Sequence, residues 1–176
     1  MPVRGLNHAV LYVRDAEASA RFYQTVLGFE RLPMGFPGAV FLRAPGSTND
    51  HDLGLFSVGP AAPAEPPAPA ASSRARPVGL YHLAWEVDTL DELERLGAEL
   101  AKVGALVGAS DHGTTKSIYA RDPDGLELEL AWVVPAKLLD EAALAARSRI
   151  SHLDIAREKR RYGATTRGGV GISTPL

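Results

Sequence analysis

Two histidines occupy matching positions in two similar segments of the chain. His8 is the third residue of Leu6–Val13, and His82 is the third residue of Leu80–Val87. Each segment is an apolar run typical of a β-strand. A single histidine in such a run is usually a core or half-exposed residue. Two at the same position of a repeat can converge on one point when the halves are related by a pseudo-twofold axis, so the pair indicates a metal site built on imidazole nitrogen.

A carboxylate for the same site is expected from the alternating segment Leu126–Leu130. Glu127 and Glu129 share one face of this predicted strand, and its leucines share the other. Two glutamates on a polar face can simply be solvated, but burying them requires a cation. Alternation does not choose between the two. Two imidazoles and one carboxylate leave open positions on a six-coordinate ion, which suits Fe(II) or Mn(II).

The elements that must position these residues repeat as well. Each half begins with a histidine-bearing strand and continues into an amphipathic helix, one from Asp15 to Gly28 and one from about Asp88 to Gly104. Each helix is followed by further strands, so each half has the pattern βαβββ. The predicted fold is therefore α+β, with two tandem βαβββ modules.

The predicted domain, residues 1–135, contains module one at 4–58 and module two at 78–135. Residues 59–77 are rich in Pro and Ala, which predicts a semi-rigid linker. Residues 136–162 are predicted as a single C-terminal helix, and 163–176 as a loose tail.

Composition excludes several classes of protein. The chain of 176 residues has a net charge of −2, which gives no general attraction to nucleic acid. It has no cysteine, so disulfides and thiolate metal sites are excluded. No apolar run has the length of a membrane span, and the N-terminus lacks the apolar region of a signal peptide. We therefore expect a cytoplasmic protein.

Several short motifs resemble one family. The opening His8–Val13, the later Arg21–Tyr23 and Leu27–Phe29, and the Asp122–Gly125 turn followed by Glu129 are similar to the glyoxalase/bleomycin resistance/dioxygenase superfamily, also called the vicinal oxygen chelate superfamily. This resemblance covers about residues 4–134. It implies that the two βαβββ modules form a curved mixed sheet, or half-barrel, around the metal site.

The second half further resembles the type I extradiol ring-cleaving dioxygenases. Their pattern of His, spacer, aliphatic residue, Tyr, Asp-Pro, Gly and Glu is matched by His112, Ile118, Tyr119, Asp122-Pro123, Gly125 and Glu129. The spacing from Tyr119 favours Glu129 over Glu127 as the ligand. The context of His51 is similar to that of an active-site histidine in the same family. The resemblance implies His8, His82 and Glu129 as metal ligands, with His51, His112 and Tyr119 acting on the substrate.

The resemblance implies an Fe(II)-dependent enzyme that cleaves a catechol-like ring with O2. Mn(II) is an alternative metal, and Ni or Zn can occupy such ligands in a purified sample. The alternative functions are a metal-dependent glyoxalase-type isomerase, a fosfomycin-type transferase and a non-catalytic drug-binding protein. We expect a homodimer whose partners are an aromatic small molecule and O2, with no nucleic acid or membrane partner. His152 is expected to be solvated or at an interface, and Trp85 and Trp132 to line the core or a pocket.

Overall fold

A computed structural model describes residue 3, residues 5–62 and residues 78–169. The chain divides into two compact units. The first unit is Met1–Arg76 with Asp122–Leu126, and the second is Pro77–Arg121 with Glu127–Leu176. Most of the predicted linker and the end of the predicted tail lie outside the described residues.

The first unit has the predicted βαβββ order. Its elements are β1 (Ala9–Val13), α1 (Ala16–Leu27), β2 (Glu30–Arg31), β3 (Ala39–Arg43) and β4 (Leu53–Ser57). The sheet order is β1-β4-β3-β2, in which β1 and β4 are parallel and the other neighbours are antiparallel.

Helix α1 forms where its sequence predicts. The Asp15 carboxylate accepts hydrogen bonds from the backbone of Glu17 and Ala18, which caps the first turn. Gly28 ends the helix with φ 77°, a left-handed conformation that favours glycine. The predicted apolar stripe is buried and packs on β3 and β4; its residues are Ala16, Ala20, Tyr23 and Leu27.

The second unit repeats the same topology. Its elements are β5 (Leu83–Glu86), α2 (Leu90–Lys102), β6 (Leu106–Asp111), β7 (Thr115–Arg121) and β8 (Glu127–Val133). The sheet order is β5-β8-β7-β6, again with one parallel pair, β5 and β8. Two four-stranded mixed sheets with matching strand orders confirm the α+β repeat.

Helix α2 buries its leucines on the second sheet. Leu93, Leu96 and Leu100 are buried, as their spacing predicts, and the helix packs against β6, β7 and β8. The helix begins two residues after the predicted start, because the Thr89 hydroxyl accepts a hydrogen bond from the Glu92 amide and so caps it there.

The prediction of one continuous helix over 136–162 is wrong. The segment forms a 3-10 turn (Ala136–Leu138) and two short helices, α3 (Glu141–Ala146) and α4 (Ile155–Tyr162). Asp140 and Asp154 each cap the start of a new helix. Between these helices, the backbone of Ser151 pairs with that of Asp111 as a β-bridge. This extended pairing separates α3 from α4, and the local apolar pattern of the sequence does not predict it, because Asp111 is distant in the chain.

The beginning of the predicted loose tail is bound to the second unit. The Thr166 carbonyl accepts a hydrogen bond from the Trp132 indole at 3.1 Å, and the Gly168 amide donates to the Asp88 carbonyl at 2.8 Å. Residues 163–169 are therefore held by specific contacts, whereas residues 170–176 lie outside the described residues. Within the described part of the chain, no helix combines the length and apolar composition needed to cross a bilayer.

Candidate active site

The second unit brings two predicted metal ligands together. His82 directly precedes β5, and Glu129 lies on β8, the parallel neighbour of β5. The imidazole Nε2 of His82 is 2.9 Å from Oε2 of Glu129, and the two side chains are 24% and 12% exposed. Two ligand atoms bound at right angles to one cation, each at about 2.1 Å, lie about 3 Å apart. The observed separation therefore fits a shared cation.

The polar partners of this pair also fit a metal. Among the described residues, no Lys or Arg forms an ion pair with Glu129, and Nδ1 of His82 is buried without a hydrogen-bond partner. A carboxylate with little exposure and an imidazole beside it is stabilised when a cation joins the two. The described residues contain no group of three or more potential ligand side chains around one point. His8 belongs to the first unit, so the complete ligand set remains a proposal.

Strand register separates the two glutamates that alternation left equivalent. Tyr119 is the cross-strand partner of Glu129, and Arg121 is the partner of Glu127. The Glu127 carboxylate is 4.0 Å from the Arg121 guanidinium, so it has a cationic partner within the sheet. Glu129 instead faces His82 and the Tyr119 hydroxyl, at 2.9 and 3.5 Å.

Tyr119 belongs to a polar cluster that includes His112. Nε2 of His112 is 3.0 Å from the Tyr119 hydroxyl and 2.8 Å from the Ser110 hydroxyl. The Ser110 hydroxyl also donates to the Tyr119 oxygen at 3.2 Å. Burial raises the pKa of Tyr119, and the hydrogen bond from Ser110 opposes that rise. Tyr119 therefore stays protonated at neutral pH and can donate a hydrogen bond to a substrate oxygen.

Ser110 is a residue of the candidate site that the sequence patterns do not predict. Its hydroxyl contacts both His112 and Tyr119, so it belongs to the candidate site. The available signal was alternation, because Ser110 and His112 are two residues apart at the end of β6.

The first unit brings His8 and His51 together. His8 directly precedes β1, the same position that His82 has relative to β5. The ring centroids of His8 and His51 are 4.5 Å apart. Nδ1 of His8 is 2.7 Å from the Asn7 side-chain oxygen, and Nδ1 of His51 is 3.1 Å from an Asp50 carboxylate oxygen. Each ring thus has one nitrogen in contact with a neighbouring side chain, and among the described residues its other nitrogen has no hydrogen-bond partner.

The surroundings of His51 differ from those of Leu53 and Leu55, the two leucines of β4. These leucines are fully buried in the core of the first unit, whereas the His51 ring packs edge-on against Phe41, with centroids 5.1 Å apart. Strand alternation does not extend back to His51, because that residue precedes β4. Phe41 also packs against Phe56 and Phe36, so an aromatic cluster adjoins His51.

Asp52 is occupied in a turn and offers no further ligand. Its carboxylate accepts hydrogen bonds from the Ala44 amide, the Ser47 hydroxyl and the Asn49 side chain.

The Asp-Pro-Asp-Gly turn has a structural role within the first unit. Asp122 accepts hydrogen bonds from the backbone of Asp124 and Leu126 and from the Tyr23 hydroxyl. Burial raises the pKa of Asp122 to about 6, although the backbone hydrogen bonds oppose the rise. The Asp124 carboxylate accepts from the Arg14 guanidinium at 2.6 Å. Both acidic residues are therefore satisfied within the turn and its surroundings.

Comparison with known proteins identifies the family. The model of the Glyoxalase/Bleomycin resistance protein/Dioxygenase superfamily matches residues 5–130. The chain belongs to this superfamily. A solved glyoxalase/bleomycin resistance protein/dioxygenase domain from Frankia sp. EAN1pec is 26% identical with a TM-score of 0.56, covering 74% of this chain and 98% of that one.

Two relatives within the superfamily are named as extradiol or catechol dioxygenases. The chain is 32% identical over 131 residues to an iron-dependent extradiol dioxygenase of Rhodococcus jostii (strain RHA1). It is 30% identical over 125 residues to a catechol-2,3-dioxygenase of Bacillus subtilis (strain 168). These alignments cover 72% and 71% of this chain but only 42% and 40% of the relatives. The chain thus spans about two fifths of the length of these relatives.

Proposed function

We propose that this protein is an Fe(II)-dependent dioxygenase that cleaves a catechol-like ring with O2. The observation that carries the proposal is the contact of His82 with Glu129 beside the hydrogen-bonded cluster of Tyr119, His112 and Ser110. The names of the two relatives support the reaction class. Such a site combines ligands for a redox-active cation with donors for substrate oxygens.

In this proposal, His8, His82 and Glu129 hold the metal. A bound ferrous ion would supply redox chemistry and would lower the pKa of a coordinated hydroxyl group. Mn(II) is the alternative active metal, and Ni or Zn would occupy the same ligands without that redox chemistry. His8 and His82 occupy equivalent positions in the two modules, since each residue directly precedes the first strand of its module.

The remaining site residues would act on the substrate. His51, with one ring nitrogen available, would move a proton between a substrate hydroxyl and the developing product. The protonated Tyr119 hydroxyl and the His112 imidazole would hydrogen-bond the substrate oxygens and orient the ring. The aromatic side chains beside His51 favour a planar, apolar substrate.

We also propose that the protein works as a cytoplasmic homodimer. Strand β1 ends its sheet and presents large apolar side chains to solvent, with Tyr12 77% and Val10 51% exposed. Exposed apolar side chains grouped on one strand are typical of an interface. Sedimentation equilibrium would show a dimer mass if the proposal is correct and a monomer mass if it is wrong.

The decisive experiment is ring cleavage by metal-loaded protein. Protein freed of metal is loaded anaerobically with Fe(II), or with Zn(II) as a redox-inactive control, and mixed with catechol and O2. The expected result is a yellow product and one O2 consumed per catechol with iron only. Resorcinol, whose hydroxyls are not vicinal, should give no product.

The other outcomes identify the alternatives. Tight metal binding without O2 consumption would contradict the dioxygenase and favour a Lewis-acid isomerase or transferase. Failure to retain any divalent metal would instead favour a non-catalytic binding protein.

A further inference from the structure

A buried ion pair links the C-terminal segment to the loop that carries His112. The Lys116 side chain on β7 and the Glu158 side chain on α4 are 0% and 1% exposed, and Nζ of Lys116 is 3.0 Å from Oε2 of Glu158. Residue 158 lies well beyond residue 130, where the superfamily match ends. The contact is therefore a feature of this chain added to the matched domain.

Lys116 also holds both sides of the His112 loop. Its ammonium donates to the Asp111 carboxylate at 2.5 Å and to the Gly113 carbonyl at 3.0 Å. These two residues flank His112 directly. The Asp111 carboxylate accepts a further hydrogen bond from the Gly113 amide at 2.8 Å, which closes the loop.

The C-terminal segment contacts the loop at two further places. Ser151 exchanges backbone hydrogen bonds with Asp111 at 2.9 and 3.0 Å. Gly113 lies so close to α3 that a Cβ atom on it would be 2.4 Å from the Ala143 carbonyl oxygen. The loop is thus held by side-chain charge from α4 and by backbone contact from Ser151 and α3.

The carboxylate of Glu158 helps to balance the positive charge of the buried Lys116 ammonium. An ammonium group without exposure is stable only when paired and hydrogen-bonded. Asp111 and Glu158 provide two carboxylates for Lys116, and the Arg157 guanidinium, 3.3 Å from Oε1 of Glu158, compensates the second. Loss of the Glu158 charge would leave Asp111 as the one carboxylate beside Lys116 among the described residues, and the ammonium would move relative to the loop that it contacts.

We infer that residues 140–162 position His112, with Glu158 and Lys116 as positioning residues that act through Asp111 and Gly113. His112 is then held at hydrogen-bond distance from Tyr119 and Ser110 by contacts outside the site. The consequence for turnover rests on the proposed function, because His112 contacts the substrate only in that proposal. The structural consequence for the imidazole does not depend on it.

The test compares Glu158→Gln with a control on α2, Glu94→Gln, which also breaks an ion pair to α4. Glu94→Gln removes a different ion pair of α4, the one between Glu94 and Lys159, which does not touch the loop. The chain has five histidines, so ¹⁵N-histidine spectra of the zinc-loaded full-length protein resolve each imidazole. We expect Glu158→Gln to shift the His112 signals and leave those of His51, which belongs to the first unit, in place, and Glu94→Gln to shift neither.

Ring cleavage provides the second readout. With iron-loaded protein, Glu158→Gln should lower kcat roughly 10- to 100-fold and change KM by less than about threefold, because a small displacement of an orienting group affects the reacting geometry more than binding. Glu158→Asp should recover part of kcat. Glu94→Gln should match the wild type in both parameters.

A second variant covers the case in which Glu158→Gln does not fold. The pair Lys116→Met with Glu158→Leu replaces the buried charges by apolar groups, a change that folded proteins often tolerate. It should also shift the His112 signals, since Asp111 and Gly113 lose their donor.

Unchanged His112 signals in the folded variants would overturn the inference, as would equal shifts from Glu94→Gln. Unchanged kcat in an active enzyme with shifted His112 signals would overturn the link to turnover. If the wild-type protein cleaves no ring, the proposed function fails while the spectra still decide the positioning role.

Discussion

The imidazole of His82 and the carboxylate of Glu129 face each other at 2.9 Å across the parallel strands β5 and β8. Both side chains are largely buried, and no Lys or Arg among the described residues forms an ion pair with Glu129. Their contact requires either a proton on Nε2 or a cation shared by both groups. The proposed metal site rests on this contact, which distinguishes Glu129 from Glu127.

Replacing either of these groups should abolish metal binding. His82→Ala and Glu129→Ala each remove one ligand, so we expect the metal content after dialysis to fall below about a tenth of the wild-type value. Glu127→Ala is the matched control from the same strand and should retain the metal, because Glu127 pairs with Arg121. Elemental analysis of the purified variants measures the effect. Retention of metal by Glu129→Ala, or its loss from Glu127→Ala, would contradict the assignment.

Removing His51 should slow turnover without loss of metal. If His51 transfers a proton in the slow step, His51→Ala lowers kcat by roughly 10² to 10⁴. His152→Ala is a suitable control, because His152 is exposed and lies outside both histidine-containing clusters. Steady-state O2 consumption and elemental analysis check the two expectations. Undiminished turnover of His51→Ala would contradict the proton-transfer role of His51 but not the proposed metal site.

Asp122 should make the protein less stable as pH rises through the weakly acidic range. Burial raises its pKa to about 6 in the folded protein, so between about pH 4 and 6 the folded state binds this proton more tightly than the unfolded state. The stability from the neutral carboxyl is therefore present below about pH 4 and is lost as pH rises through 6. Asp122→Asn keeps acceptors for the Asp124 and Leu126 amides but cannot ionise.

The free energy of unfolding of Asp122→Asn, relative to wild type, should increase by about 2 kcal/mol between pH 4 and 7. Urea denaturation at each pH measures the difference. Asp140→Asn should give a nearly flat difference over this range, because hydrogen bonds from Arg161 lower the pKa of Asp140 and so confine its effect on stability to pH values below about 4. A flat difference for Asp122→Asn would show that the carboxyl is already ionised at pH 4.

Gly113 should not tolerate a side chain. Its φ is 76°, and a Cβ atom would be 2.4 Å from the Ala143 carbonyl oxygen, which is backbone and has little freedom to move. Gly104 has a similar φ of 71° and open space around it. We expect Gly104→Ala to cost about 1 kcal/mol for the left-handed conformation alone, and Gly113→Ala to cost at least about 2 kcal/mol more. Equal losses in urea denaturation would show that α3 can move away from the loop.

The sequence by itself determined the repeat and most of the local elements. Helix α1 follows from Asp15, Gly28 and an apolar stripe, all of which act within a few residues of one another. The matching positions of His8 and His82 before β1 and β5 also follow from the sequence, because alignment of the two halves needs no knowledge of packing.

Only the tertiary structure decided which groups face one another. Glu127 and Glu129 are equivalent by alternation. The register of β8 with its neighbouring strands places Arg121 opposite Glu127. It places Glu129 beside Tyr119 of β7 and beside His82, which precedes β5. The cluster of Ser110 with His112 and the pairing of Lys116 with Glu158 depend on strand register and on docking of the C-terminal segment. Periodic patterns record which side of an element is buried, whereas register and docking join residues distant in the chain and leave no periodic trace.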